Sequence, residues 1–197
     1  MALNFKTFHN QTPLDQNETD GLRIKHLRFQ EELNEFEHQN VEKAIEWTMR
    51  GSFNKEMIFT EKFIKEVHFR MFGDVWNWAG KFRKSEKNLG VSWPRIGVEL
   101  KQVLDDTKYW ITHSIFKPEE IAIRFKHKIV QIHCFPNGNG RHSRLMADIL
   151  IEKVFNEQLF TWGFNIKDVK LSRKIYIDAI KEADIGNIEP LLEFAKN

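Results

Sequence analysis

Apolar residues recur three or four positions apart along much of this chain, and this spacing most limits what the chain can fold into. Two of the clearest stripes are Phe63, Val67 and Met71, and Ile121, Phe125, Ile129 and Ile132. Because residues three and four apart share one face of an α-helix, each stripe predicts a helix with one buried face. The chain is therefore expected to be mainly α-helical.

The same periodicity and the turn residues divide the chain into segments. We predict helices at 29–50, 60–72, 94–113, 118–133, 141–156, 168–183 and 188–195. Between Gly80 and Trp93 the helical pattern stops, and Asn88-Leu89-Gly90 favours a short β-hairpin. We divide the chain into an N-terminal arm and helix, 1–54, and a main domain, 55–197, which pack as one compact unit.

Composition excludes several classes of protein. The 30 Lys and Arg residues nearly balance 28 Asp and Glu residues, so the formal net charge is only +2 and a nucleic-acid partner is not predicted. A single Cys cannot form an intrachain disulfide. The first residues lack the apolar core of a signal peptide, and no apolar run approaches the roughly 20 residues of a membrane span. We expect a soluble cytoplasmic protein without a membrane partner.

The stretch 133–144 carries the strongest chemical signal. Gly138 and Gly140 can adopt positive φ, so that backbone N–H groups around Asn139 converge on an anion. A helical pattern follows at once, with Arg141 and Arg144 in its first turn. Cations at a helix N-terminus are unfavourable because they oppose the helix dipole, and a bound anion would offset this cost. The stretch therefore predicts a polyphosphate site.

His133 is the candidate proton acceptor beside this site. It ends the predicted helix 118–133, and nearby Arg141 and Arg144 are expected to disfavour its charged form. A neutral imidazole next to a phosphate cradle indicates group transfer with general base catalysis. Taken singly, these features have structural readings: the histidine could be a helix-end residue, and Arg144 could pair with Asp148 at i+4. Their combination within twelve residues favours a site.

These residues resemble the signature of the Fic (Fido) domain family, H-P-F-x-[D/E]-G-N-G-R-x-x-R. The matching positions are His133, Phe135, Gly138, Asn139, Gly140, Arg141 and Arg144. Residues 76–83 are similar to the W-A-G-x-[FY]-R element of the family, and 176–179 and 183–192 resemble its closing helices. Segments 12–15, 32–35 and 136–142 are similar to the mobile mystery protein B subgroup.

The resemblance implies a Fic fold, a compact helical bundle with a short β-hairpin flap. It also implies transfer of AMP from ATP to a Ser, Thr or Tyr hydroxyl of a target protein. His133 would deprotonate that hydroxyl, and Phe135 would anchor the loop. The nucleotide-binding positions would be Asn137, Gly138, Asn139, Gly140, Arg141 and Arg144.

Two positions depart from the family signature. Cys134 replaces the usual Pro, and Asn137 replaces the acid that holds Mg²⁺. An amide oxygen can still coordinate Mg²⁺ but lacks a negative charge, so Mg²⁺ is expected to bind more weakly. Altered phosphoryl transfer, removal of AMP, and nucleotide binding without turnover therefore stay open as alternatives.

The resemblance also implies a docking flap and a regulator. The candidate target-docking residues are Lys84, Ser85, Lys87, Asn88 and Val91. Many relatives carry an inhibitory [S/T]-x-x-x-E-[G/N] helix, and the nearest acids here are Glu32 and Glu56. Neither fits fully, because Arg28 stands in the Ser/Thr position before Glu32 and Met57 follows Glu56. A separate antitoxin or regulator is a further expected partner.

Overall fold

The computed structural model describes residues 16–25, 27 and 29–197, and this part of the chain is mainly helical, as predicted. The helices are α1 (Gln16–Thr19), α2 (Gln30–Arg50), α3 (Lys55–Ile58), α4 (Glu61–Phe72), α5 (Ile96–Thr112), α6 (Pro118–Ile132), α7 (Asn139–Lys153), α8 (Val169–Asp184) and α9 (Glu189–Lys196). A 3₁₀ turn, Trp93–Arg95, leads into α5. Each predicted helix is present, whereas short α1 and α3 were not predicted.

Most of the expected N-terminal arm lies outside the described residues, as does segment 12–15, which contributes to the subgroup resemblance. In the part of the chain that is described, no helix is both long and apolar enough to cross a bilayer.

Helix α6 lies at the centre of the fold and packs against α5 on one side and α7 on the other. Its predicted stripe is buried, with Ile121, Phe125 and Ile129 each at most 1% exposed. Removing such side chains from water stabilises the fold by about 1.5–3 kcal/mol each. The two helices that flank the stretch 133–138 are therefore held firmly by the core.

Helix α2 packs on α4 through a buried polar residue as well as apolar contacts. The Asn40 Nδ2 amide donates to the Arg70 carbonyl (2.9 Å), and its Oδ1 accepts from the Asp74 N–H (2.9 Å). The carbonyl groups at the C-terminal end of α4 lack hydrogen-bond partners within the helix, and the Asn40 side chain is the partner of one of them, the Arg70 carbonyl. The N-terminal helix is thus attached to the segment that precedes the flap.

The predicted β-hairpin is not formed in residues 81–92, which follow an irregular path without a strand. Its backbone is held by the Arg83 side chain instead of by cross-strand pairing. The Arg83 Nη1 donates to the Ser85 carbonyl (2.8 Å), and Nη2 donates to the Val91 carbonyl. A buried guanidinium with several donors thereby replaces the hydrogen bonds of a hairpin.

Candidate active site

His133 lies at the C-terminal end of α6 in a left-handed conformation (φ 58°, ψ 59°). It is 7% exposed. Burial, followed by the charges of Arg83 and Lys87, lowers the pKa of His133 to about 4. The predicted neutral imidazole is confirmed, but the cations responsible are Arg83 and Lys87 and not Arg141 and Arg144.

Arg83 joins residues 81–92, which we call the flap segment, to the end of α6. Its side chain is fully buried. The Arg83 Nε donates to the His133 carbonyl (2.7 Å), and its backbone N–H donates to the Cys134 carbonyl (3.0 Å). The Val91 N–H donates to the Ile132 carbonyl (3.2 Å). Both ends of the flap segment are therefore fixed to the backbone around His133.

His68, on α4, supports the loop that follows His133. Its Nδ1 accepts from the Gly80 N–H (3.0 Å), so Nε2 carries the proton and donates to the Asn137 carbonyl (3.0 Å). The ring stacks on Phe135 with centroids 3.7 Å apart. Burial, followed by the nearby His142, lowers the pKa of His68 well below its usual value, which keeps this bridge neutral.

Asn139 closes the same loop from the first turn of α7. Its Oδ1 accepts from the Phe135 N–H (2.9 Å), and its Nδ2 donates to the Phe135 carbonyl (2.8 Å). The Asn139 side chain is therefore committed to the loop, and only its backbone N–H is available for the anion binding that the sequence predicts. Phe135 itself is completely buried, as expected for an anchor.

The two motif glycines differ from each other. Gly138 precedes α7 with φ 77°, and a Cβ there would lie 2.5 Å from the Phe72 ring, so both conformation and space require glycine. Gly140 was also predicted to have positive φ, but it lies within α7. The prediction was wrong because α7 begins at Asn139, two residues before the predicted start. The backbone N–H groups of the first α7 turn take the place of a longer nest.

His142 fixes the first turns of α7 to α4. Its Nε2 donates to the Ile64 carbonyl (3.0 Å). Burial lowers the pKa of His142 to about 4, so the ring is neutral. Its Nδ1 is the one buried side-chain polar atom without a hydrogen-bond partner among the described residues.

The two motif arginines have different partners. The Arg141 Nη2 pairs with the Glu37 carboxylate of α2 (2.7 Å), and its guanidinium lies 4.7 Å from the centre of the Phe72 ring. The Arg144 guanidinium lies 5.5 Å from the centre of the Tyr176 ring. The Glu37 carboxylate also accepts from the Trp76 indole N–H (2.7 Å), so α2 contributes directly to the site.

The alternative pairing of Arg144 with Asp148 is wrong. Among the residues with described positions, Arg144 forms no ion pair, and both Asp148 oxygens accept from the Trp162 indole N–H (2.9 and 3.0 Å). Burial raises the pKa of Asp148 to about 7. Arg144 is therefore a half-buried cation beside the first turns of α7.

Asn137 is half-buried, and its Oδ1 accepts from the Gly138 N–H (2.6 Å). That oxygen is the metal ligand that the resemblance implies. No group of three or more His, Cys, Asp or Glu side chains suited to a metal ion occurs in the described ranges. On the protein side, the Asn137 Oδ1 would offer a Mg²⁺ ion a neutral oxygen in place of a carboxylate.

The five predicted docking residues lie in the flap segment but are not equally accessible. Lys84 and Asn88 are exposed, whereas Ser85 and Val91 are half-buried. The Lys87 side chain is 3% exposed, and its Nζ pairs with the Glu18 carboxylate (2.6 Å). Lys87 therefore holds the flap segment to the N-terminal residues and is unsuited to docking.

The two acids proposed as inhibitors lie in different places. The Glu32 Oε2 accepts from the Phe29 N–H (3.1 Å) at the start of α2. Glu56 is exposed in α3. The acid that the structure brings to a motif arginine is Glu37, five residues after Glu32 on the same helix.

Sequence reasoning missed four residues of the site, namely His68, Arg83, Glu37 and Tyr176. His68 had a signal, since it lies between Ile64 and Phe72 at four-residue spacing on the buried side of α4, where a polar residue needs a partner. Arg83 also stands in the W-A-G-x-[FY]-R element. Glu37 and Tyr176 carried no local signal, because their partners are more than 30 residues away in the sequence.

Known proteins resemble this chain in sequence. The sequence model described as Fic/DOC family matches residues 58–151. The protein adenylyltransferase Fic of Aedes aegypti is 28% identical over 165 residues, covering 80% of this chain and 32% of that protein. The corresponding Nematostella vectensis protein is 25% identical over 166 residues, covering 80% and 37%. The chain spans about a third of the length of these curated relatives.

Solved structures show the same fold. Fic-1 from C. elegans has a TM-score of 0.69 and 21% identity, covering 90% of this chain and 51% of that one. The BepC effector from Bartonella tribocorum, solved with bound AMPPNP, has a TM-score of 0.66 and 17% identity, covering 92% and 97%. The overall helical fold of this chain is therefore shared with these solved structures.

Proposed function

We propose that this chain, whose residues 58–151 match the Fic/DOC family model, is a protein adenylyltransferase that transfers AMP from ATP to a Ser, Thr or Tyr hydroxyl of a target protein. The observation that carries the proposal is the buried, neutral His133 beside the glycine turn that opens α7. The names of the curated relatives support the same activity.

In the proposed reaction, the target hydroxyl oxygen attacks the α-phosphorus of ATP. The bond from that phosphorus to the bridging oxygen of the β-phosphate breaks, and pyrophosphate leaves. The hydroxyl proton passes to the neutral imidazole of His133. The lowered pKa, about 4, keeps the His133 imidazole neutral at pH 7, and a neutral imidazole can accept a proton.

We propose that the phosphates lie against the first turn of α7. Backbone N–H groups of Gly138, Asn139 and Gly140 would face them, with the positive end of the helix dipole behind. Arg141 and Arg144 would neutralise the charge that develops on the leaving pyrophosphate. Since the loop is fixed by His68 and Asn139, little reorganisation is required when the nucleotide binds.

Mg²⁺ remains part of the proposal in a reduced role. Asn137 fits the position of a single neutral ligand, and phosphate oxygens and water would complete the coordination. When bound, the ion would supply charge neutralisation at the phosphates. Replacing Asn137 by Asp should restore a carboxylate ligand and lower the Mg²⁺ concentration needed for half-maximal ATP binding.

The setting of the protein is also a proposal. We propose a cytoplasmic enzyme of the mobile-element subgroup, regulated by a separate antitoxin, with no nucleic-acid or membrane partner. Residues 1–54 would serve as the arm and helix that support the 55–197 domain. The contacts of Glu37 and Asn40 with that domain support one compact unit.

Labelled nucleotides test the activity. The chain is incubated with candidate target proteins and either α-labelled or γ-labelled ATP, with His133→Ala as the control. We expect protein label from the α position only, and its loss in His133→Ala. Label from the γ position would indicate a different phosphoryl transfer, and ATP binding without any label would indicate a nucleotide-dependent regulator.

A further inference from the structure

Lys126 is a charged residue that the proposed reaction leaves without a role. It lies on α6, is 0% exposed, and is surrounded by the fold. Its Nζ donates to the Tyr176 hydroxyl oxygen (2.7 Å) and lies 4.3 Å from the centre of the same ring. No carboxylate of the described residues lies within ion-pair distance of Lys126. Burying a cation without an acidic partner is costly, so this arrangement calls for an explanation.

Two charged residues, Arg144 and Asp184, act on Lys126 with opposite signs. Burial lowers the pKa of Lys126 well below its usual value, and Arg144 lowers it further, whereas Asp184 raises it. The Asp184 carboxylate already accepts from His127 (2.8 Å) and Gln131 (3.4 Å). An anion bound near Arg144 would therefore stabilise the charged form of Lys126.

The Tyr176 hydroxyl group has an O–H donor that can bind a ligand. A phenol oxygen can accept a hydrogen bond while its own proton is donated elsewhere. When Lys126 is charged and donates to this oxygen, the hydroxyl proton needs an acceptor other than Lys126, and none occurs within residues 16–25, 27 and 29–197. Burial raises the pKa of Tyr176, so the phenol keeps this proton.

The hydroxyl lies beside the proposed phosphate site. A Cβ built on Gly140 would lie 3.9 Å from the Tyr176 hydroxyl oxygen. The same ring supports the Arg144 guanidinium. The spare donor is thus next to the first turn of α7 and on the side of the second motif arginine.

We propose that Tyr176 is a further phosphate-binding residue, whose hydroxyl donates to a nonbridging oxygen of the nucleotide triphosphate, and that Lys126 is the positioning residue that directs this donor. The proposal rests on the proposed function in one respect, namely that ATP is the ligand. It assigns α6 and α8 to the nucleotide site in addition to the loop and α7.

Tyr176→Phe tests the binding role, because it removes one oxygen and keeps the ring under Arg144. We expect ATP to bind about tenfold more weakly by titration calorimetry, as for a lost hydrogen bond to a charged group. The matched control is Tyr109→Phe, since Tyr109 is the only other tyrosine of the chain and is 56% exposed. An ATP affinity equal to that of the native chain in Tyr176→Phe would overturn the proposal.

Lys126→Met tests the positioning role. If Lys126 acts through the phenol, ATP binding should weaken in Lys126→Met, and adding Tyr176→Phe should cause no further loss. Lys128→Met, an exposed change on the same helix, serves as the control. Losses that multiply in the double variant would show that the two residues act independently and would contradict the role of Lys126.

A spectroscopic measurement distinguishes a direct contact between Tyr176 and ATP from a general loss of packing in Tyr176→Phe. Chain labelled with fluorotyrosine should give two ¹⁹F resonances, and ATP should shift the one that is missing in Tyr176→Phe. If ATP affinity depends on Tyr176 but no AMP is transferred, the proposed function fails and this inference stands. If AMP is transferred and Tyr176→Phe binds ATP normally, the inference fails alone.

Discussion

The two ends of the candidate site are built differently. At the His133 end, the protein already satisfies the backbone: Arg83 donates to the His133 carbonyl, and His68 donates to the Asn137 carbonyl. At the Arg144 end, the guanidinium forms no ion pair with any described residue, and the Tyr176 proton lacks an acceptor there. The His133 end thus forms its hydrogen bonds within the protein, and we call it the finished end. The Arg144 end has donors that a bound ligand would use.

This difference indicates a division of labour. A base must be held at a fixed position and in a fixed protonation state, which internal hydrogen bonds and burial provide. A phosphate site must instead keep donors and positive charge uncommitted until the anion binds. Substitutions at the first end should therefore affect turnover and stability, whereas those at the second should affect binding.

The largest expected effect is at the base. His133→Ala should reduce AMP transfer by at least about 100-fold, because proton transfer in the reaction loses its acceptor. Its ATP affinity, measured by calorimetry, should stay within about threefold of the native value, since the phosphates are held elsewhere. His113→Ala, at an exposed helix end, is the control. AMP transfer at the native rate in His133→Ala would contradict the assignment of turnover to the His133 end of the site.

Arg83 should have the next largest effect. In Arg83→Lys the donors sit on one atom and cannot span the His133, Ser85 and Val91 carbonyls, so the free energy of unfolding should fall by about 3 kcal/mol in urea titrations. Arg83→Gln should lose a similar amount. The two variants should differ in the pKa of His133, which rises more in Arg83→Gln because the positive charge is lost.

Arg95→Lys on the exposed surface is the matched control for the stability measurement, since the Arg95 side chain is 70% exposed. Equal His133 pKa values in Arg83→Lys and Arg83→Gln would show that the charge of Arg83 does not reach the imidazole.

Acid should destabilise the finished end through its buried histidines. His68, His133 and His142 all have pKa values below the ordinary 6.5. Below pH 6.5 these histidines therefore bind more protons in the unfolded chain than in the folded chain. The free energy of unfolding should therefore fall as pH decreases from about 6.5 to about 4, by about 3 kcal/mol for each of His133 and His142. Urea midpoints across this range measure the loss.

Asp148 contributes with the opposite sign over the same range. Its pKa is raised to about 7, so the folded state favours its protonated form and gains stability as pH falls from 7 toward 4. Asp148→Asn should therefore make the acid loss steeper, and His38→Gln, at an exposed position, should leave it unchanged. Urea midpoints that do not vary with pH would contradict the neutral state of the buried histidines.

The smallest effect is expected at the junction of the two ends. Glu37→Gln removes the charge that pairs with Arg141 but keeps an acceptor for the Trp76 indole. ATP should bind about threefold more weakly, because Arg141 loses the partner that orients it. Glu35→Gln on the same helix is the control, since Glu35 contacts only Gln39 by side-chain hydrogen bond among the described residues. Tighter ATP binding in Glu37→Gln would show that Glu37 competes with phosphate.

Local patterns predicted much of this molecule. The apolar spacing predicted α4 and α6, because each stripe depends on residues within one or two helical turns. The conformation of Gly138 and the neutral state of His133 were also predicted. The mainly helical Fic fold is confirmed by the matches to solved structures.

Contacts between distant segments could not be predicted. Arg83 and the His133 carbonyl are 50 residues apart in the sequence, as are Lys126 and Tyr176. For this reason the cations that keep His133 neutral were assigned to Arg141 and Arg144, which are its neighbours in sequence. The hairpin prediction failed for a related cause, since a single buried side chain can replace the pairing that the turn residues suggest.

The most direct test of the proposed proton acceptor is the pKa of the His133 imidazole. NMR titration of its imidazole in the native chain, assigned with His133→Ala, should give a pKa of about 4, with a higher value in Arg83→Gln. A pKa at or above the ordinary 6.5 in the native chain would contradict a buried, neutral proton acceptor held ready by Arg83.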